Sequence, residues 1–466
     1  LNMKKKNEDT IFALSTPYGQ SAIAVTRVSG PKTLDIAKKL SGKKKFEPRN
    51  AYFCKLKDSN DNIIDSGLII FFKSPRSFTG EDLLEIQTHG SIAIINKLFQ
   101  ELSEFDETRF ANPGEFSMRG YKNRKADLIH YEGLASLISA ETNTQRLISN
   151  KQTFGNSQNV CQKWRDVLIE NIALIDAEIE FSEEQNEGIL LNVSSSLNNL
   201  LKEIKKIIYY GETAQQINLG QNILIFGPPN AGKSSLFNFL CQEERMIISK
   251  LKGTTTDQSA QKLEVLGKKV VIIDSAGLGK GSRLIEKKGI KKTINSIKNF
   301  NNLILVLSPD SYSSENSEIL LKTITQINHK KVVVIFNKSD TPNFKNRIKI
   351  WLNKIPQLKK YKSFTISCLL GKKDPRVLSK TNNFIDKELL NSESFNSENC
   401  FFSEKRQIEI IKKLSLDIKL ALESFNNIEI ACNYLNSALK KLDNLYGRNN
   451  PEEKLELIFK RFCIGK

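Results

Sequence analysis

A chain of 466 residues with 70 basic against 52 acidic side chains carries a formal net charge of +18; the length suggests about three domains, and the charge favours a polyanionic partner. No apolar run approaches the ~20 residues of a membrane span, and Leu1 to Thr10 lacks the apolar core of a signal peptide. Seven scattered cysteines without a Cys-x-x-Cys pair, and only three histidines, argue against a zinc site or disulfide framework and make a cytoplasmic location the expectation.

In chain order, Ser21 to Val28 and Ser66 to Phe72 read as strands from their β-branched and apolar content, and Ser29-Gly30-Pro31 as a turn into a helix. Arg27 ends its strand just before that turn, a place that by spacing alone suits a solvated strand end. Ser77 to Gly90 gathers three carboxylates and a histidine around a short apolar run, and spacing does not separate a ligand site from a solvated face. From Asp127 to about Tyr210 the period is helical. Trp164, Leu168, Ile172, Ile175 and Ile179 form one stripe, and Leu197, Leu201, Ile204 and Ile208 another. Glu183 to Gly188 is a polar break between them, and Gly211 to Gly220 leads into the next segment.

Residues 221 to about 370 alternate strands with helices, the apolar runs being Ile223–Phe226, Val270–Ile273, Leu303–Leu307, Val332–Phe336 and Ser363–Ile366. Lys262–Leu266 and Lys269–Ile273 flank Gly267 as a hairpin, so one edge strand is antiparallel in an otherwise doubly wound α/β domain. After the polar stretch Asn391 to Asn399, helical periodicity resumes at Ser403, with Ile411, Leu414, Ile418, Leu422 and Phe425 as its stripe. Two helical segments thus flank an inserted nucleotide domain.

The chemistry sits in that domain. Gly227 to Ser234 spells Gly-x-x-x-x-Gly-Lys-Ser between a strand and a helix that starts at Ser235. In that order the backbone N–H groups around Asn230, Ala231 and Gly232 can cradle phosphates, Lys233 reaches the terminal ones, and Ser234 ligates magnesium. Gly253-Thr254-Thr255 can complete the magnesium shell through Thr255. Asp274-Ser275-Ala276-Gly277 follows a strand, so Asp274 can hold a magnesium-bound water and Gly277 can donate to the γ-phosphate. Asn337-Lys338-Ser339-Asp340 follows the next strand but one, and Asp340 can accept from the N1–H and amine of guanine, a donor pair adenine lacks. GTP is therefore the expected nucleotide, with Ile366-Ser367-Cys368 as the remaining guanine loop. Leu278 stands where Ras-like enzymes place a water-orienting glutamine, leaving Glu286, Arg283 and Lys280 as candidates in the following loop.

Beyond the nucleotide motifs, Asp9 to Gly30, Ser77 to Gly90, Pro113 to Leu128 and the final Phe462-Cys463-Ile464-Gly465-Lys466 resemble the signatures of the MnmE (TrmE) family of tRNA-modification GTPases over essentially the whole chain. The resemblance implies an N-terminal α+β domain (1–121) that dimerises and binds a tetrahydrofolate one-carbon derivative. It further implies a helical domain in two parts (122–217 and 376–466) and an inserted Ras-like P-loop GTPase domain (218–375). Arg27, Glu85, Lys125 and Lys466 fall on the family's folate positions. Asn230, Ser249, Leu251 and Thr254 fall on its potassium site, where the cation replaces an arginine finger, and Glu286 falls on its water-orienting glutamate. An FAD-dependent partner resembling MnmG and a tRNA wobble uridine modified at carbon 5 complete the expectation, with Cys463 a possible further participant. Thr256, Ser275, Gly279, Ser91 and Asn112 depart from the family's usual residues. A ribosome-assembly GTPase and a GTP-sensing scaffold are the alternatives; the flanking domains and intact Lys233, Ser234, Thr255, Asp274 and Glu286 weigh against them.

Overall fold

The computed structural model describes residues 9–181, 187–241, 260–274, 297, 300–327, 330–372, 374–390, 399–447, 452–460, 462 and 465. They fall into two compact units, one of Leu1–Ile138, Gln152–Ile208 and Glu404–Lys466, the other of Ser139–Lys151 and Tyr209–Ser403.

The first unit opens with a six-stranded sheet: β1 (Thr10–Leu14), β2 (Ser21–Ser29), β3 (Ala51–Lys57), β4 (Ile63–Phe72), β5 (Leu83–Gly90) and β6 (Thr108–Phe110). Its order is β3-β4-β5-β2-β1-β6, antiparallel throughout except for the β1–β6 pair. Alternation along β2 to β5 sends one set of side chains, among them Val28, Leu56, Ile69 and Ile86, under the helices α1 (Thr33–Ser41) and α2 (Ile92–Ser103), where Ile36, Leu40, Leu98 and Leu102 complete the core. The turn read at Ser29-Gly30-Pro31 is present. Gly30 has φ 135°, and a Cβ there would lie 2.7 Å from the Asp9 carbonyl oxygen, so only glycine closes this turn against β1.

The helices that follow are α3 (Glu115–Lys122), α4 (Leu128–Ile138), α5 (Asn143–Phe154), α6 (Ser157–Phe181) and α7 (Glu187–Leu219), then Lys405–Glu423, Ile428–Tyr446 and Glu452–Phe459; all belong to this unit except residues 143–151 of α5 and 209–219 of α7, which fall in the second. Trp164, Leu168, Ile172 and Ile175 are buried as their spacing predicts, but Ile179 is 41% exposed. The helix Ile428–Tyr446 meets α6 near its own start, where the Cys432 thiol lies 3.0 Å from Asp176 Oδ1, and Ile179 projects beyond that contact. On α7, Ile207 is buried while Ile208 is half-buried, so the inward row runs 197, 201, 204, 207. Gly211 to Gly220 leads into the next segment as helix: α7 continues to Leu219 and ends on Gly220 at φ 75°, the left-handed geometry that favours glycine just past a helix end. Leu422 and Phe425 are half-buried, and Phe425 lies past the end of its helix at Glu423.

The second unit holds β7 (Gln221–Phe226), α8 (Lys233–Leu240), β8 (Ala260–Val265), β9 (Lys268–Asp274), β10 (Asn302–Leu307), β11 (Lys331–Phe336) and β12 (Lys362–Thr365). The sheet order is β12-β11-β10-β7-β9-β8, parallel except for the antiparallel edge strand β8. Apolar layers cover both faces. Leu236, Phe239 and Leu240 of α8 lie on one, and Leu320, Ile348 and Trp351 on the other. Leu378, Ile385, Leu389 and Leu390 join the first layer, so this unit extends well past residue 375.

The β8–β9 hairpin turns on Leu266 and Gly267, both with positive φ (49° and 81°), between paired Val265 and Lys268. That is the two-residue turn whose twist matches the strands and in which asparagine is the favoured first residue. Leu266 is 52% exposed and packs little, yet holds a left-handed backbone. Leu266→Asn is expected to stabilise the protein by about 1 kcal/mol, read as a shift of the urea midpoint.

Candidate functional site

β7, β9, β10, β11 and β12 run parallel, so their C-terminal ends share one edge of the sheet, the edge at which open parallel sheets bind ligands. After β7 the chain makes the phosphate-loop turn. Gly227 has φ 149°, and a Cβ on it would fall 2.2 Å from the Val306 carbonyl oxygen of β10. Asn230 lies at φ 58°, exposed, and its carbonyl accepts from Ser308 Oγ at 3.3 Å. Gly232, at φ 89°, faces Asn337 so closely that a Cβ would sit 2.2 Å from Asn337 Nδ2. α8 then starts at Lys233, with Ala231 buried beneath the loop and Ser235 exposed on the first turn.

Burial pushes the Lys233 pKa below its ordinary value, with Asp274 pulling the other way, and Lys233 Nζ donates to the Pro228 carbonyl at 2.9 Å. The ammonium thus folds over the loop it would serve. Ser234 Oγ donates to Asp274 Oδ2 at 2.7 Å, which brings together two oxygen groups of the kind a hard divalent cation selects. The guanine-side residues are tied to the same loop. Asn337 Nδ2 donates to the carbonyls of Ala231 (3.4 Å) and Gly232 (3.5 Å), while its Oδ1 accepts from the backbone N–H groups of Lys338 (2.8 Å) and Cys368 (3.2 Å). One buried amide therefore joins three loops. Lys338, at φ 60°, reaches Asp310 at 3.2 Å, and Asp340 is exposed beside it. Ser367 caps the helical turn Cys368–Gly371 by accepting from Leu370 N–H at 3.2 Å, and burial raises the Cys368 thiol to about 12.

The structure thus brings Gly227, Asn230, Ala231, Gly232, Lys233, Ser234, Ser235, Asp274, Asn337, Lys338, Asp340 and Ser367 to one end of the sheet. Ser249, Leu251, Gly253, Thr254, Thr255, Ser275, Ala276, Gly277, Lys280, Arg283 and Glu286 lie outside the described residues. Ser308 was not foreseen. Its position immediately after the apolar run of β10 was the one available signal.

A second group of polar residues gathers in the first unit. The β2–β5 register sets Arg27 directly opposite Glu85. Arg27 Nε donates to Glu85 Oε1 at 2.9 Å and Nη2 lies 2.8 Å from the same oxygen, both side chains about one-fifth exposed. Arg27 is therefore paired, not a solvated strand end. Gly465 lodges here. Its carbonyl accepts from Ser15 Oγ at 3.0 Å and from Arg27 Nη1 at 3.5 Å, and a Cβ on it would fall 2.3 Å from the Leu14 carbonyl oxygen. Cys463 and Lys466, on either side of it in sequence, lie outside the described residues.

The Arg27 guanidinium also stacks over Phe78, 5.6 Å from the ring centre. Phe78, with Lys125, Asp127, His130, Tyr131 and Ser157, lines a cavity of about 380 Å³. Lys125 Nζ donates to the Pro75 carbonyl at 2.7 Å, and Asp127 Oδ2 is buried with no hydrogen-bond partner among the described residues. Aromatic walls, a cation and an orphaned carboxylate oxygen suit a flat ligand carrying both N–H donors and acidic groups.

Residues 10–125 match the family model described as the GTP-binding protein TrmE N-terminus, and residues 128–463 match the MnmE helical domain. A Rickettsia typhi protein named tRNA modification GTPase MnmE is 35% identical over 463 residues, covering 98% of this chain and all of the relative. Proteins of the same name from Anaplasma phagocytophilum and Ehrlichia canis are 31% and 32% identical, over 100% and 98% of this chain. Together with a P-loop α/β unit carrying the guanine-loop residues, these matches show that the chain belongs to the MnmE (TrmE) family of tRNA modification GTPases.

Proposed function

We propose that this chain hydrolyses GTP with magnesium and potassium, and uses the resulting conformational cycle to modify carbon 5 of the wobble uridine in tRNA. It acts as a homodimer with an FAD-dependent partner resembling MnmG, in the cytoplasm, with a tetrahydrofolate derivative as one-carbon donor. The observation that carries the reading is the presence in one chain of two built sites: the Asn337-linked phosphate loop, and the Arg27–Glu85 pair with Gly465 lodged against it.

In the first site, Lys233 neutralises the terminal phosphates, and Ser234 and Thr255 hold magnesium, with Asp274 on a magnesium-bound water. Asp340 reads guanine, and Glu286 places the attacking water. In the second, Arg27, Glu85, Lys125 and Lys466 hold the folate, whose reduced pterin supplies the one-carbon unit when bound. The test is nucleoside analysis of tRNA from a strain lacking its own MnmE homologue and expressing this chain. Restored C5-modified wobble uridine is the expected result; unmodified uridine despite soluble, GTP-hydrolysing protein overturns the reading.

A further inference from the structure

On the second unit, the stretch 344–362 holds seven basic residues and no acidic one. At the chain's own frequencies, 70 basic and 52 acidic in 466, nineteen residues would hold about three and two. The helix Phe344–Lys354 buries Ile348 and Trp351 in the sheet's apolar layer, and Trp351 Nε1 donates to the Ser308 carbonyl at 3.1 Å. Its exposed side chains are Lys345, Asn346, Lys349, Ile350, Asn353 and Lys354, the charged ones all basic. The short 3-10 helix Pro356–Lys360 adds Lys359 and Lys360, and the edge strand β12 adds Lys362. Arg347 is spoken for by Asp310 at 3.0 Å.

The fold does not account for this arrangement, because the local electrostatics oppose it. Lys345 stands in the helix's first turn, which holds no acidic residue and where the macrodipole disfavours a cation. Lys345 and Lys349 are like charges one turn apart on the same face and repel each other. An ordinary solvated helix face in this chain looks different. Lys405–Glu423 pairs Lys405 with Glu409 (3.8 Å) and Lys419 with Glu423 (3.3 Å). Lys345 and Lys349 share one flank of the exposed face and Lys354 lies on the other, so the helix carries charge of one sign along about 16 Å, prolonged by the lysines that follow, which suits a row of phosphates. Lysine is depleted at protein–protein interfaces, which points away from a protein partner.

We propose that the exposed lysines from Lys345 to Lys362 form a docking surface for the phosphodiester backbone of tRNA, a proposal that rests on the functional reading above. The test uses the full chain and an unmodified tRNA transcript with uridine at the wobble position. Lys345, Lys349 and Lys354 are changed together to glutamate and, separately, to glutamine, which keeps helix propensity. Unstimulated GTP hydrolysis should stay at the parental rate in both variants. Affinity for tRNA should fall at least tenfold at ~100 mM salt, and in the glutamine variant the slope of log K against log salt should become shallower by about 2–3. Unchanged affinity and slope in the glutamine variant overturn the proposal, and this arm decides if the glutamate variant does not fold. So does an equal loss from glutamine at Lys405, Lys413 and Lys419, which would make the effect one of net charge. A parental chain that binds no tRNA at all overturns the functional reading, and the proposal with it.

Discussion

Replacing Asn230 by glycine is expected to slow GTP hydrolysis in potassium by about 10³–10⁵-fold, to the level the parent shows in sodium. Negative charge spreads over the transferring phosphoryl oxygens, and a cation beyond Lys233 and magnesium must offset it. Asn230 is exposed in the phosphate loop at φ 58°, with its backbone carbonyl anchored by Ser308. Asparagine tolerates that left-handed conformation, so the turn alone would account for it were no ligand involved. Glycine separates the two roles, because it keeps the turn and removes only the side-chain oxygen. Rates of phosphate release in potassium and in sodium, for parent and variant, decide the matter. If Asn230→Gly keeps the potassium stimulation while Arg283→Ala loses activity in both salts, an arginine finger does the work.

Gly465→Ala is expected to weaken binding of a reduced folate by about a hundredfold while leaving GDP binding untouched. The added methyl would meet the Leu14 carbonyl oxygen at 2.3 Å, and alanine is strained at φ 89° besides. The segment must leave β1, which surrenders the hydrogen bonds from Ser15 and Arg27 and, with them, the folate contact proposed for Lys466. A charge-assisted hydrogen bond contributes roughly 1.5–3 kcal/mol, which is about the loss expected for Lys466 alone. Deleting residues 463–466 should match the alanine variant. Folate affinity preserved in both, by equilibrium dialysis or calorimetry, would remove this segment from the site.

The second unit was the more legible of the two, for a physical reason. Strands buried on both faces read as unbroken apolar runs, and β7, β10 and β11 stand where Ile223, Leu303 and Val332 placed them. In the first unit β2 and β4 were visible, but β1, β3 and β6 were not. β6 has only three residues, and β3 buries just Cys54 and Leu56 of seven. The nucleotide residues were legible because each motif is local, its residues adjacent in sequence. The Arg27–Glu85 pair spans 58 residues and depends on strand register, which spacing does not encode. For Arg27 the residue pattern pointed to solvent; only the family resemblance marked it. The Asn337 hub was half visible: its motif announced a guanine loop, but not that its amide also holds the phosphate loop.

The lodging of Gly465 against Arg27 has a consequence for how the protein is made. The two residues are 438 positions apart, so at ribosomal speeds of about 5–20 residues per second Arg27 leaves the exit tunnel roughly 20–90 s before its last neighbour exists. Over the last 62 positions of that interval, about 3–12 s, the second unit, whose final residue is Ser403, has all of its chain made and can close around nucleotide. The first unit waits for its third segment. A nascent chain cut short near its end would therefore emerge able to bind GTP yet with an unfinished Arg27 site.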